Sequence, residues 1–285
     1  MKTNIDALSV LRAVNSVAGH VTPGLSAQVA KYLLLHPREH HARGWELPAA
    51  RTARRVTFRF GLSGLRWGEQ GPAVLMMHGW EGRPTQFRHF IEPLLASGRQ
   101  VIALDGPAHG QSQGEQATLM EFAMALAEAA VEIQNLEAVV GHSLGAAATA
   151  IALAQGLPAE RAVLIASPSK IEASLRGFAG ALGLPHRAAN RFVQLIGRAN
   201  GIPAQELEVS RQVRGLGIPA LIVHDCDDAT VPIDDGKAIA RAWPGARLLT
   251  TAGLGHWRVL TDANVAREVS EFLTGSSRPS VARRH

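Results

Sequence analysis

Residues Ala138-Val139-Val140-Gly141-His142-Ser143-Leu144-Gly145-Ala146 join a β-prone apolar run to an Ala-rich helix former that continues to Ala154. At their centre stands the pentapeptide G-x-S-x-G. In a chain with 28 glycines the pattern alone means little, so its weight comes from its surroundings. A strand leading in and a helix leading out leave room only for a tight turn. Such a turn forces its middle residue into a strained backbone conformation, and a glycine on either side lets strand and helix approach closely. The hydroxyl of Ser143 is then presented at the carboxyl edge of a sheet, where open α/β sheets bind their ligands.

The rest of the chain supplies such a sheet. From about residue 55, short apolar runs recur at Val56–Phe60, Ala73–Met77, Val101–Leu104, Ala138–Val140, Ala162–Ile165, Ala220–Val223 and Arg247–Thr250. Amphipathic stretches lie between most of them: Phe87–Ala96, Leu119–Ile133, Ala146–Ala154, Asp235–Trp243 and Val265–Leu273. This alternation predicts an α/β fold, a mainly parallel, doubly wound sheet with helices on both faces. Between Ala166 and Ala220 the pattern is helical without a convincing strand and too long for a bare loop, so a small helical cap is expected at about 168–215, inserted after the sixth core strand. Residues 1–54 read as an N-terminal helical extension. Ile5, Leu8, Leu11, Val14 and Val17 recur at helical spacing, as do Leu25, Val29, Tyr32 and Leu33 after the Thr22-Pro23-Gly24 break. The core is expected over 55–275, with a flexible Ser/Arg-rich tail at 276–285.

A serine hydroxyl becomes a competent nucleophile only when a base takes its proton, and the base needs a carboxylate to hold its tautomer. Both follow later strands. After Ala220–Val223 comes His224-Asp225-Cys226-Asp227-Asp228-Ala229-Thr230-Val231-Pro232, and after Arg247–Thr250 comes Gly253-Leu254-Gly255-His256-Trp257. The base is assigned to His256. Asp225, Asp227 and Asp228 are all candidates for the acid.

At these residues the chain resembles the α/β-hydrolase superfamily, in which nucleophile, acid and histidine follow in this order. The resemblance covers about residues 56–275. It extends to Met77-His78-Gly79-Trp80-Glu81-Gly82 and to Leu104-Asp105-Gly106-Pro107-Ala108-His109-Gly110-Gln111-Ser112, which looks like the family's D-x-x-G-x-G-x-S stretch. The family's D-x-x-x-P acid pattern selects Asp228, four residues before Pro232. The resemblance further implies an oxyanion hole from the backbone N–H groups of Trp80 and Leu144. Related dehalogenases and epoxide hydrolases carry Asp at the elbow, and dienelactone hydrolases Cys, so Ser143 points away from them.

The expected activity is that of a serine esterase acting on a small-molecule carboxylic ester through Ser143, His256 and Asp228, with no cofactor and no metal. Trp257, Phe178 and Leu182 are candidates for the substrate pocket. Two alternatives keep the fold. In one, the same triad serves carbon–carbon bond hydrolysis, perhydrolysis or acyl transfer: Gly255-His256-Trp257 resembles the G-H-W of meta-cleavage-product hydrolases, although His142 and Trp80-Glu81-Gly82 depart from their pattern. In the other, the fold only binds a small molecule or partner.

Composition excludes several classes. Scattered glycine and proline and 46% hydrophobic content argue against fibrous or disordered chains, and a single cysteine, Cys226, leaves no intrachain disulfide. The basic surplus is 29 residues against 24 acidic ones. All basic residues but Lys2, Lys31, Lys170 and Lys237 are Arg, and they are dispersed, so no nucleic-acid partner is expected. The lone pair His40-His41 makes no metal site. No leader-like segment or membrane span is read from the sequence, and a cytoplasmic location is expected.

Overall fold

The computed structural model describes residues 7–38 and 44–275, with side chains from residue 12 onward. The tail 276–285, the His40-His41 pair and the first six residues lie outside the described residues. The chain opens with helices α1 (Ala7–Val21), α2 (Pro23–Leu35) and α3 (Leu47–Thr52), then strands β1 (Arg54–Phe58), β2 (Leu62–Trp67) and β3 (Ala73–Met77). Helix α4 (Arg88–Ala96), β4 (Gln100–Asp105), α5 (Leu119–Glu132), β5 (Leu136–His142), α6 (Leu144–Ala154) and β6 (Arg161–Ile165) follow. The segment expected to form a helical insertion holds α7 (Ile171–Ala181), α8 (His186–Ala199) and the short α9 (Val209–Gln212). The chain closes with β7 (Ala220–Asp225), α10 (Ile233–Ala242), β8 (Arg247–Thr251), α11 (Gly255–Arg258) and α12 (Ala263–Thr274).

The strands form one sheet in the order β1-β2-β4-β3-β5-β6-β7-β8, antiparallel at β1/β2 and β2/β4 and parallel from β4 to β8. Strands β3, β4 and β7 are buried along their whole length, as a parallel sheet covered on both faces requires. Alternate residues feed two cores. Val74 and Met76 pack with Phe90, Leu94 and Val269 from α4 and α12, while Leu75 and Met77 pack with Leu126 and Ile151 from α5 and α6. This is the α/β-hydrolase architecture, with all of the carboxyl ends of β3–β8 at one edge.

The structure departs from the sequence reading at three places. Strand β2 carries no alternating or continuous apolar pattern: Leu62, Leu65 and Trp67 are interrupted by Ser63, Gly64 and Arg66, and Gly64 lies against the Ala103 carbonyl, where a Cβ would come within 2.7 Å. The run expected to extend to Phe60 ends at Phe58, because the chain reverses through Phe60 (φ 57°) and Gly61 (φ 67°) into β2. In α2 the buried residues are Ser26, Ala27, Ala30 and Leu35, whereas Leu25 and Tyr32 are exposed. Small residues allow α2 to lie close against α8, so the bulkier periodic positions turn outward.

Candidate active site

The turn between β5 and α6 puts Ser143 at φ 53°, ψ −121°, a region that L-residues rarely enter. The Ser143 N–H donates to the Ile165 carbonyl at the end of neighbouring β6 (2.9 Å), and its own carbonyl accepts from Ala146 and Ala147 in the first turn of α6. Gly145 permits the close approach, since a Cβ there would strike the backbone carbonyls of Met77, the last residue of β3, and of His78 just beyond it.

His256 arrives on α11, five residues beyond the end of β8, and Asp228 stands just beyond β7. The His256 Nδ1–H donates to Asp228 Oδ2 at 2.7 Å. That leaves Nε2 as the acceptor for the Ser143 hydroxyl, 2.9 Å away. Asp228 is itself fixed by the Thr230 and Val231 amides, both donating to Oδ1 at 2.8 Å. Burial raises the proton affinity of its carboxyl. The hydrogen bonds from His256, Val231 and Thr230 and the adjacent imidazole outweigh that effect and hold it below the usual carboxylate range.

The other two acid candidates are engaged elsewhere. Asp225 takes the Thr251 hydroxyl (2.6 Å) and the Leu254 amide (3.1 Å), joining β7 to the loop that carries His256. Asp227 accepts from the Gly253 amide at 2.7 Å.

Behind the pair sits His142, fully buried and missed as a contributor by sequence reasoning. Its Nε2–H donates to the His256 backbone carbonyl at 3.0 Å, and its ring lies 4.9 Å from that of His256. Burial, reinforced by neighbouring His256, lowers its pKa to about 3, so it stays a neutral donor. An elbow that turns this side chain away from Ser143 thereby points it at the backbone holding the imidazole.

The loop after β3 reaches the same place. A Cβ on Gly79 would lie 2.9 Å from the Ser143 Cβ, so the His78-Gly79-Trp80 segment rests on the elbow. The Glu81 amide donates to His109 Nε2 (3.0 Å) and the Gly106 amide to His78 Nε2 (2.9 Å), which tie this loop to the one following β4. Among the described residues, no backbone carbonyl takes the Trp80 or Leu144 amide.

Beside these residues lies a cleft of about 540 Å³ whose walls include Trp45, Trp80, Trp257, Arg88 and Arg258. Trp257, expected at the pocket, is half exposed and its ring stands 5.2 Å from His256. Phe178 and Leu182 are not among the lining residues. Phe178 packs on Phe192 at 5.8 Å, and Leu182 is buried with its carbonyl accepting from Asn15 at 3.0 Å. Their apolar character serves the contact between α7, α8 and the N-terminal helices. Trp45 and Arg88 carry no motif, and only the scarcity of tryptophan, five in the chain, marks Trp45.

The model of the alpha/beta hydrolase family matches residues 74–268, and the chain belongs to that family. The dihydrolipoyllysine-residue acetyltransferase component of an acetoin cleaving system from Pseudomonas putida is 30% identical over 254 residues, covering 73% of this chain. The chain spans 65% of that relative's length. Among solved structures, the Pyrococcus furiosus esterase Pf2001 aligns with TM-score 0.65 at 21% identity, over 85% of this chain and 97% of the other. Est1E from Butyrivibrio proteoclasticus aligns with TM-score 0.61 at 19% identity, over 79% and 100%. Bromoperoxidase from Bacillus anthracis aligns with TM-score 0.60 at 18% identity, over 78% and 100%. At these identities the structural likeness speaks to the fold.

Proposed function

We propose that the chain is a serine hydrolase of carboxylic esters with small to medium acyl or aromatic groups, and that it works through an acyl-enzyme. The observation that carries this reading is the continuous hydrogen-bonded line from Asp228 through His256 to a serine on a strained elbow. In this reading His256 Nε2 takes the Ser143 proton as Oγ attacks the ester carbonyl. Asp228 stabilises the imidazolium and keeps its own charge. The oxyanion is received by the Trp80 and Leu144 amides, the latter at the positive end of α6. His256 returns the proton to the departing alcohol, and water then repeats the sequence on the acyl group. Residues 168–215 are read as a cap over the site.

A fluorophosphonate probe tests the chemistry. It should label the intact protein and fail to label Ser143→Ala. Equal labelling of both, or labelling of neither, would remove the reading. The P. putida relative, named as an acetyltransferase component, favours a second outcome in which the acyl-enzyme passes to an acceptor other than water. Product partition in the presence of a thiol or alcohol separates the two: a hydrolase releases free acid at a rate the acceptor does not change.

A further inference from the structure

The cleft beside the elbow has a charge pattern that simple ester hydrolysis does not require. Two carboxylates stand at or behind its wall, and both are already engaged. Glu46, fully buried, is ion-paired with Arg83, whose Nε lies 2.8 Å away, and accepts a hydrogen bond from the Thr85 hydroxyl, also at 2.8 Å. Glu81 holds the fork of Arg38, with Nε and Nη2 each 2.8 Å from a carboxylate oxygen. Two further arginines face the cleft, and among the described residues no carboxylate lies within ion-pair distance of either. Arg258 gives Nε and Nη2 to the carbonyls of Leu254 and Gly253.

Arg88 is the more unusual of the two. Its guanidinium lies 4.0 Å over the Trp45 ring, and its Nη1 is shielded from solvent without a hydrogen-bond partner. A guanidinium nitrogen in that condition carries a desolvation cost that stacking on an indole offsets only in part. Burial accordingly lowers the proton affinity of Arg88, against the opposing pull of Glu46. The planar fork matches an anion such as a carboxylate, and the indoles of Trp45 and Trp257 offer apolar faces in the same cleft. The cleft adjoins that centre, because Trp257 follows His256 and Trp80 follows the Gly79 that rests on Ser143.

We propose that this cleft binds a free carboxylate on the substrate, so that the preferred ester is a singly charged one, such as the half-ester of a dicarboxylic acid. The carboxylate sits on Arg88 and Arg258, and the carbons linking it to the ester lie along the tryptophans. The inference rests on the ester-hydrolase reading.

The test compares mono-4-nitrophenyl glutarate with 4-nitrophenyl valerate, which share a leaving group and a five-carbon acyl chain. The expected kcat/KM ratio favours the anionic ester by roughly tenfold or more, the scale of one charge-assisted pair. The ratio should fall toward one in Arg88→Gln and part of the way in Arg258→Gln, whose exposed position spares the fold. Because a ratio is read, partial unfolding of either variant cancels. Equal use of the two esters by the intact protein, or a preference retained in both variants, overturns the inference. Should neither ester be cleaved, the hydrolase reading fails and binding decides the inference. Quenching of tryptophan fluorescence by 4-phenylbutyrate but not by 4-phenylbutyramide, lost in Arg88→Gln, sustains the carboxylate site. Equal quenching by the two, or none by either, ends it.

Discussion

Three aspartates within four residues, Asp225, Asp227 and Asp228, show how a one-position difference separates chemistry from architecture. The order of the motifs confined the acid to this cluster, and resemblance to the family's D-x-x-x-P pattern pointed to Asp228. What the sequence did not carry was the use of the other two, because their partners Thr251, Leu254 and Gly253 lie some 26 to 29 residues downstream. Asp228→Asn should lower kcat by about 10³–10⁴, by the loss of the carboxylate that sets the imidazole tautomer. Asp227→Asn, which touches only a loop amide, should stay within about fivefold of the intact rate, since a single exposed hydrogen bond is worth about 1 kcal/mol. Steady-state kinetics on one ester distinguishes them, and a reversal of the two effects would place the acid one residue earlier. Arg88 and Trp45 were illegible for a different reason. A guanidinium stacked 43 residues away along the chain belongs to no local motif, and only the packed molecule brings the two together.

At the scale of elements, seven of the eight strands were readable as apolar runs, the edge strands β1 and β8 among them, and β2, between β1 and β4, was not. Strand β2 exists because its backbone completes the ladder between β1 and β4, with Gly64 allowing close passage over Ala103 and Leu104. Its side chains do little to announce it. The elbow was readable because tight turns need glycine, and the structure adds the reason for the second glycine. Gly145 is where α6 crosses the carbonyls of Met77 and His78. Gly145→Ala should therefore push α6 off β3 and destabilise the fold by about 2 kcal/mol or more, the usual scale of overpacking against a backbone that cannot move far. A shift of the urea midpoint checks this, and an unchanged midpoint would mean that the helix retreats at no cost.

For the molecule as a whole, two buried imidazoles set the response to acid. Burial lowers the pKa of His78 and of His142 to about 3, in each case with a further contribution from a neighbouring histidine. In the unfolded chain both titrate near the ordinary value of about 6.5. The unfolded state therefore takes up protons first. The stability these groups permit is complete above about pH 6.5 and is lost as pH falls from there toward 3, by about 1.4 kcal/mol per pH unit for each. Unfolding by urea at pH 7.5 and pH 5 should differ by several kcal/mol, in a window above the titration of ordinary carboxylates. A midpoint that does not move over that window would show that the rings are solvated.

The bend at Ser143 has an effect that is felt far from the chemistry. A side chain held at φ 53° and ψ −121° stores conformational energy that only glycine could release. Ser143→Gly should raise the thermal midpoint slightly, by about 1 kcal/mol in stability, while ending ester cleavage altogether. Calorimetry on that variant would show selection for turnover and selection for durability pulling in opposite directions at one position, with the living sequence keeping the less durable choice.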